Sequence, residues 1–308
     1  MRAAFANEIE SLSGTNERII LLSGDIGNRM FDTYKEKFPD RFYNCGVAEA
    51  NMTGVAAGMA LCGLHPVTYT ITAFNTIRCL EQIRVDVCYQ NLPVIIVGVG
   101  GGLSYASLNA THHALEDIAC LRVLPNMTVI CPGDAWEVRA ALRAALKIES
   151  PVYIRMAKKN EPLVHKNIPD FTIGKGLVIK EGSDICFLNS GSLLPFALEA
   201  TETLRKTEDI SVHLVSMHTV KPLDEELLSD VFSKYSHIFT IEEHSMLGGF
   251  GGSIAEWFSD QKNPKAKLSR IGTGDFFKYD AGEKEHAQDY FGITTEQIVE
   301  KVLKSMSQ

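Results

Sequence analysis

Short apolar runs and helical periodicity alternate from one end of the sequence to the other, and that alternation leaves few folds open. In the first half the runs fall at residues 18–22, 66–71, 93–99, 127–130 and 152–156, with helical windows at 48–61, 76–89 and 136–148. Runs of four to seven apolar residues separated by helices predict a parallel sheet covered on both faces and joined by right-handed crossovers. A polar, proline-containing passage, 157–171, has the composition of an inter-domain linker. Beyond it the alternation restarts, with strands near 184–189, 211–215, 237–241 and 268–271 and helices near 193–205, 224–232, 250–259 and 295–305. The expectation is two consecutive α/β domains, residues 1–165 and 172–308, the second smaller and neither built from a tight repeat.

Composition removes several function classes. The chain has 30 basic and 38 acidic residues and a formal charge of -8, with no long Lys/Arg run. It therefore lacks the counterion-releasing surface that nucleic acid or an anionic membrane requires. No run reaches the length of a membrane span, and residues 1–13 form an amphipathic helix without a signal peptide's apolar core. The seven cysteines are scattered through apolar segments with no CxxC pair and no zinc-like spacing, which predicts buried thiols and a reducing cytoplasmic setting.

Three stretches carry candidate chemistry. Residues 41–60, RFYNCGVAEANMTGVAAGMA, place a single acid, Glu49, at the start of a helix of small and apolar residues. Such a carboxyl either serves the helix end or, in a partly apolar setting, shares a proton with a ligand nitrogen. The small face formed by Gly46, Gly54 and Gly58 invites close packing of another backbone. Residues 69–84, YTITAFNTIRCLEQIR, put Phe74 at a strand's C-terminal edge, where open α/β sheets place ligands. Phe74 is either core or a flat face for a heteroaromatic ring. Residues 98–113, GVGGGLSYASLNATHH, follow an apolar strand with four glycines and end on His112 and His113. They are neither a P-loop nor a dinucleotide fingerprint, and a flexible loop closing on substrate fits them better. The histidines are either substrate contacts or helix-end and solvent groups.

Together these stretches resemble the pyrimidine-binding half of transketolases. RFYNCGVAEANMTGVAAGMA is similar to the block around the family's catalytic glutamate, THHALEDIACLRVLPNMTVICPGDAWE to its histidine block, and residues 23–27, SGDIG, to the acidic turn after the first strand. VHLVSMHTVKPLDEELL and IFTIEEHSMLGGFGGSIAE resemble the C-terminal domain shared with deoxyxylulose-phosphate synthases and 2-oxoacid dehydrogenase β subunits. The resemblance runs from about residue 15 to 305. It implies an open, mostly parallel pyrimidine-binding domain followed by a smaller transketolase C-terminal domain that builds the dimer.

What is missing is as telling. The Gly-Asp pairs are Gly24-Asp25, Gly133-Asp134 and Gly274-Asp275, and none continues as the GDG that opens the family's diphosphate and metal motif. The resemblance thus implies a split enzyme. A separate N-terminal subunit would supply the ligands for thiamine diphosphate's diphosphate and for Mg²⁺, in an α2β2 heterotetramer with sites at the interface.

By resemblance Glu49 bonds the aminopyrimidine nitrogen and promotes loss of the thiazolium proton, and Phe74 stacks on the pyrimidine. Asp25, Ile71, Ile77 and Arg78 complete the expected cofactor surroundings. Ile71 and Ile77 stand where many relatives have aromatics. His112 contacts donor and intermediate, with His113 beside it, and Lys158 lies near an arginine that holds substrate phosphate in some members. Leu108 and Asn109 replace the acidic-Gly pair of the family's DGPTH, which calls ordinary sugar-phosphate specificity into question. The activity implied is ketol transfer from a ketose to an aldose. The alternatives are a 2-oxoacid dehydrogenase β subunit or another decarboxylating enzyme of the class, and a non-catalytic partner of the same fold.

Overall fold

The computed structural model describes residues 1–27, 29–158, 161–262 and 266–307. The first half runs α1 (Arg2–Ser13), β1 (Ile19–Ser23), α2 (Asp32–Lys37), β2 (Phe42–Asn44), α3 (Glu49–Leu61), β3 (His65–Ile71), α4 (Thr72–Asn75), α5 (Leu80–Gln82), β4 (Ile95–Val99), α6 (Asp117–Arg122), β5 (Thr128–Ile130), α7 (Ala135–Ala145) and β6 (Val152–Met156). The second runs β7 (Leu177–Lys180), β8 (Ile185–Ser190), α8 (Leu194–Thr207), β9 (Val212–Ser216), β10 (Thr219–Lys221), α9 (Glu225–Lys234), β11 (His237–Ser245), α10 (Phe250–Ser259), β12 (Lys267–Thr273), α11 (Lys284–Phe291) and α12 (Thr295–Met306).

The first sheet has the order β10-β5-β6-β4-β3-β1-β2, parallel except for β10. Strands β1, β4 and β6 are buried along their whole length, as the uninterrupted apolar runs require of strands covered on both faces. The second sheet, β12-β11-β8-β9-β7, is parallel apart from its β7 edge. β10 belongs in sequence to the second half yet pairs with β5, so the two halves are sewn together by a shared sheet. The linker is fastened too: backbone N–H groups of Val164 and His165 both donate to Asp134 Oδ2, at 3.0 and 2.8 Å.

One local expectation changes. The window 76–89 is not one helix but a 3-10 turn (Ile77–Cys79), α5, and a π-helical stretch (Ile83–Cys88). Such π segments accompany functional sites, because the widened turn redirects side chains without ending the helix. The glycines 100–102 at the start of the 98–113 loop allow close approach of other side chains. A Cβ on Gly101 would sit 2.8 Å from Arg155 Cγ, and one on Gly102 would strike Glu243. A pair of backbone bonds between Gly102 and Ala114, each 3.0 Å, closes the loop at its base.

The glycines around 248–252 likewise serve packing: Glu242 accepts the N–H groups of Phe250 and Gly251, each at 2.7 Å, and so fills the N-terminus of α10 from within. All seven cysteines are free, and Cys79, Cys88, Cys131 and Cys186 are buried. Among the described residues no helix is long and apolar enough to cross a membrane.

Candidate active site

Neighbouring strands of the parallel sheet deliver the candidate residues at their C-terminal ends. Along the order β6-β4-β3-β1 these are Lys158 just past β6, the 100–113 loop past β4, Phe74 and Arg78 past β3, and Asp25 past β1. Glu49 opens α3, which follows β2. The physical cause is the one common to open parallel sheets: every crossover returns the chain so that loops of the same polarity gather along one edge.

Glu49 is 2% exposed. The residue before α3 is Ala48, which offers no capping side chain, and the Glu49 carboxylate is engaged elsewhere. Arg78 Nη1 donates to Glu49 Oε2 at 3.0 Å, while the same guanidinium carbon lies 4.2 Å from the centre of the Phe74 ring. One planar, N–H-bearing group thus lies over an aromatic face and is hydrogen-bonded to a buried carboxylate. A flat nitrogen heteroaromatic ring would satisfy the same two partners, so Glu49 and Phe74 fit one. Arg78, about half exposed, has solvent to move into.

Contacts continue from Phe74 to the histidine. The rings of Phe74 and His112 meet edge-on at 5.1 Å, and Tyr105 flanks His112 at 6.1 Å. Lys158 Nζ lies 4.2 Å over the Tyr105 ring. Glu49, Arg78, Phe74, His112, Tyr105 and Lys158 therefore form one unbroken chain of contacts. Burial, then the charges of Arg78 and Lys158, hold the His112 imidazole below its ordinary pKa and so favour the neutral ring.

His113 points to different surroundings. It is 6% exposed, and burial first, then the Lys278 charge, depresses its pKa while Glu243 opposes them. Asp25 adopts φ 58 in the turn after β1 and accepts a 2.9 Å bond from Asn44 Nδ2. Ile71 precedes α4 and is partly exposed; Ile77 is 43% exposed, a large aliphatic side chain facing outward. Leu108 is exposed, and Asn109, at φ 67, donates from Nδ2 to the Tyr279 carbonyl, tying the loop to the second half.

Sequence reasoning passed over Tyr105, whose signal was an aromatic inside a glycine-rich loop. It also passed over a buried framework beneath the site. Asp117 Oδ2 accepts from Arg155 Nε at 2.8 Å and from Tyr153 Oη at 2.6 Å, and Arg155 Nη2 donates to the carbonyls of Ala114 and Glu243 at 2.7 and 3.0 Å. Arg155 thereby holds the end of the loop against the second half. A cavity of about 350 Å³ lies beside Lys158 between the halves, lined also by Ser104, Ser107, Ser192, Lys284 and Gln288. Among the described residues no group of three or more His, Cys, Asp or Glu side chains is placed to hold a metal ion.

Comparison with known proteins identifies the family. The sequence matches the family "Transketolase, pyrimidine binding domain" over residues 1–162 and "Transketolase, C-terminal domain" over 174–298. It is 34% identical to the putative transketolase C-terminal section of Methanocaldococcus jannaschii, across 99% of this chain and 96% of that protein. It is 33% identical to a 6-deoxy-6-sulfo-D-fructose transketolase subunit of Clostridium sp., across 97% and 92%. A solved split-gene transketolase, described as an inactive beta4 tetramer, superposes with a TM-score of 0.91 at 34% identity, covering 99% of this chain and 98% of that one. The chain belongs to the transketolase family, as the section that carries the pyrimidine-binding and C-terminal domains of split, two-subunit thiamine-diphosphate enzymes.

Proposed function

We propose that this chain is the pyrimidine-binding subunit of a cytoplasmic transketolase that moves a two-carbon ketol unit from a ketose to an aldose, working only with a separate subunit that binds the diphosphate and Mg²⁺. The observation that carries this is the Glu49–Arg78–Phe74 stack, which fits an aminopyrimidine. Thiamine diphosphate, when bound, supplies a nucleophilic carbon that takes up and releases the carbonyl fragment. In this chain Glu49 holds a proton against the pyrimidine ring nitrogen and Phe74 provides the stacking face. Arg78 gives up its place between them and stays at the rim, and the exposed Ile77, with Ile71 and Asp25, borders the cofactor. His112 meets the sugar, and Lys158, steadied by Tyr105, meets its far end; His113 supports the loop from beneath. The subunits assemble as an α2β2 heterotetramer in which the partner covers the sheet edge.

Substrate choice follows from the loop. With Leu108 and Asn109 in place of an acidic-Gly pair, no carboxylate there recognises a donor hydroxyl, and a modified ketose suits the site. The relative that acts on a sulfonated sugar shows that such substrates occur among similar subunits.

Co-expression with a candidate partner, purification, and assay of cofactor content and transfer test the proposal. Support is a complex with stoichiometric thiamine diphosphate and Mg²⁺ that transfers ketol units from a ketose panel and releases no CO₂ from 2-oxoacids. Release of CO₂ from a 2-oxoacid would instead make the chain a decarboxylating or dehydrogenase-type subunit. A complex with neither cofactor nor turnover would make it a structural partner.

A further inference from the structure

His112 has two ring nitrogens, and its neighbours treat them differently. Thr111 Oγ1 lies 2.9 Å from His112 Nδ1. The same hydroxyl donates to the Leu108 carbonyl at 3.2 Å, at the end of the 3-10 turn Ala106–Leu108. A hydroxyl has one hydrogen, and with that hydrogen on Leu108 it can only accept from the ring. For both contacts to be hydrogen bonds at once, Nδ1 carries the imidazole hydrogen, and in the neutral ring Nε2 is left as a bare lone pair. The ring is held so that this matters: Phe74 contacts it edge-on, Tyr105 flanks it, and the His112 backbone N–H donates to Asn109 O at 2.9 Å. Tyr105 in turn needs Gly100, which has φ +82 and whose missing Cβ leaves room for the Tyr105 ring.

We propose that Thr111 is a positioning residue that fixes His112 as the Nδ1–H tautomer, making Nε2 an acceptor matched to a substrate hydroxyl. The inference rests on His112 facing substrate, as in the proposed function, and it narrows the substrate class. A lone pair attracts the O–H of a polyhydroxylated ketose. It repels the carboxylate and carbonyl oxygens of a 2-oxoacid, which an Nε2–H would have bound. The tautomer thus selects hydroxylated donors at a place where Leu108 and Asn109 supply no acidic acceptor.

The tautomer is measured directly on the ¹⁵N-histidine-labelled chain by two-bond ¹H–¹⁵N correlation at pH 7.5, with His112→Gln giving the assignment. The result expected is an Nδ1–H pattern for His112 in the native protein, a shift toward Nε2–H in Thr111→Val, and restoration in Thr111→Ser. A native Nε2–H ring, or a tautomer unmoved in Thr111→Val, overturns the proposal. Thr111 is exposed, so the valine variant folds. In the assembled enzyme Thr111→Val raises KM for a ketose donor by about tenfold, with Thr111→Ser near native. An Nδ1–H ring in a complex that transfers no ketol unit would sink the proposed function and leave the tautomer assignment standing. An active complex in which Thr111→Val changes the tautomer but not KM would sink the hydroxyl-acceptor role alone.

Discussion

Arg78 reaches across 29 residues of sequence to place Nη1 3.0 Å from Glu49 Oε2, and it is the one cation hydrogen-bonded to that carboxylate among the described residues. A buried acid at the head of a helix rich in small and apolar residues is thereby supplied with a partner until a ligand nitrogen replaces it. Glu49→Gln keeps a side-chain oxygen that accepts from Arg78 but loses the exchangeable proton. In the assembled enzyme kcat is expected to fall by about 10²–10⁴-fold, while the melting curve of the chain stays near native.

Arg78→Ala separates the two roles of the guanidinium. It leaves Glu49 unpaired in the cofactor-free protein, with an expected loss of about 1 kcal/mol, small because Arg78 is half exposed. With thiamine diphosphate bound, the pyrimidine takes over the carboxylate and most of that loss disappears. Melting curves of the complex with and without cofactor should show a larger cofactor-induced rise in Tm for the variant than for the native protein.

Lys158 acts on His112 through space. Its charge is one cause, after burial and Arg78, of the depressed histidine pKa. Lys158→Met removes that charge, so the His112 titration midpoint should move up toward the ordinary imidazole value. Following the His112 ring proton by NMR from pH 4 to 8 checks this. An unchanged midpoint would mean that Lys158 does not stay over Tyr105 in solution.

The Asp117–Arg155 pair lies wholly inside, its side chains 0% and 4% exposed. Removing one member strands the other charge. Asp117→Ala is therefore expected to destabilise the chain by about 3–5 kcal/mol in urea denaturation. Because Arg155 also holds the Ala114 and Glu243 carbonyls, ketose KM should rise in the same variant.

Asp134 sets an acid limit. Burial alone would raise its pKa, but bonds from the His165 ring and from the backbone N–H groups of Glu137 and His165 outweigh burial and bring it down to about 2. A depressed carboxyl contributes stability above its unfolded value of 3.8, and loses it as pH falls toward about 2. The contribution is about 2 kcal/mol. Urea denaturation between pH 2 and 5 should show this decline in the native protein and a flatter curve in Asp134→Asn.

Much of the secondary structure lies in local pattern. β6 and α10 occupy the residues their apolar periodicity marks, because a buried strand and an amphipathic helix each print their period on adjacent positions. Two of the shortest strands do not. β2 and β10 have three residues each, and β10 is a strand only because β5 lies beside it. The π-helical stretch after α5 keeps a helix-like composition and differs only in its hydrogen-bond partners.

The same division holds for the site. The sequence by itself determined the parallel α/β plan, the family blocks, and the candidates Glu49, Phe74 and His112, since each stands in a stretch whose local chemistry is unusual. Only the tertiary structure decided that Arg78 bridges Glu49 and Phe74, that Tyr105 joins Lys158 to His112, and that His113 turns inward. Those relations depend on strand order, which brings β6, β4 and β3 side by side from distant parts of the chain. A sheet's neighbours are fixed by packing over the whole fold, and no short window of residues carries that information.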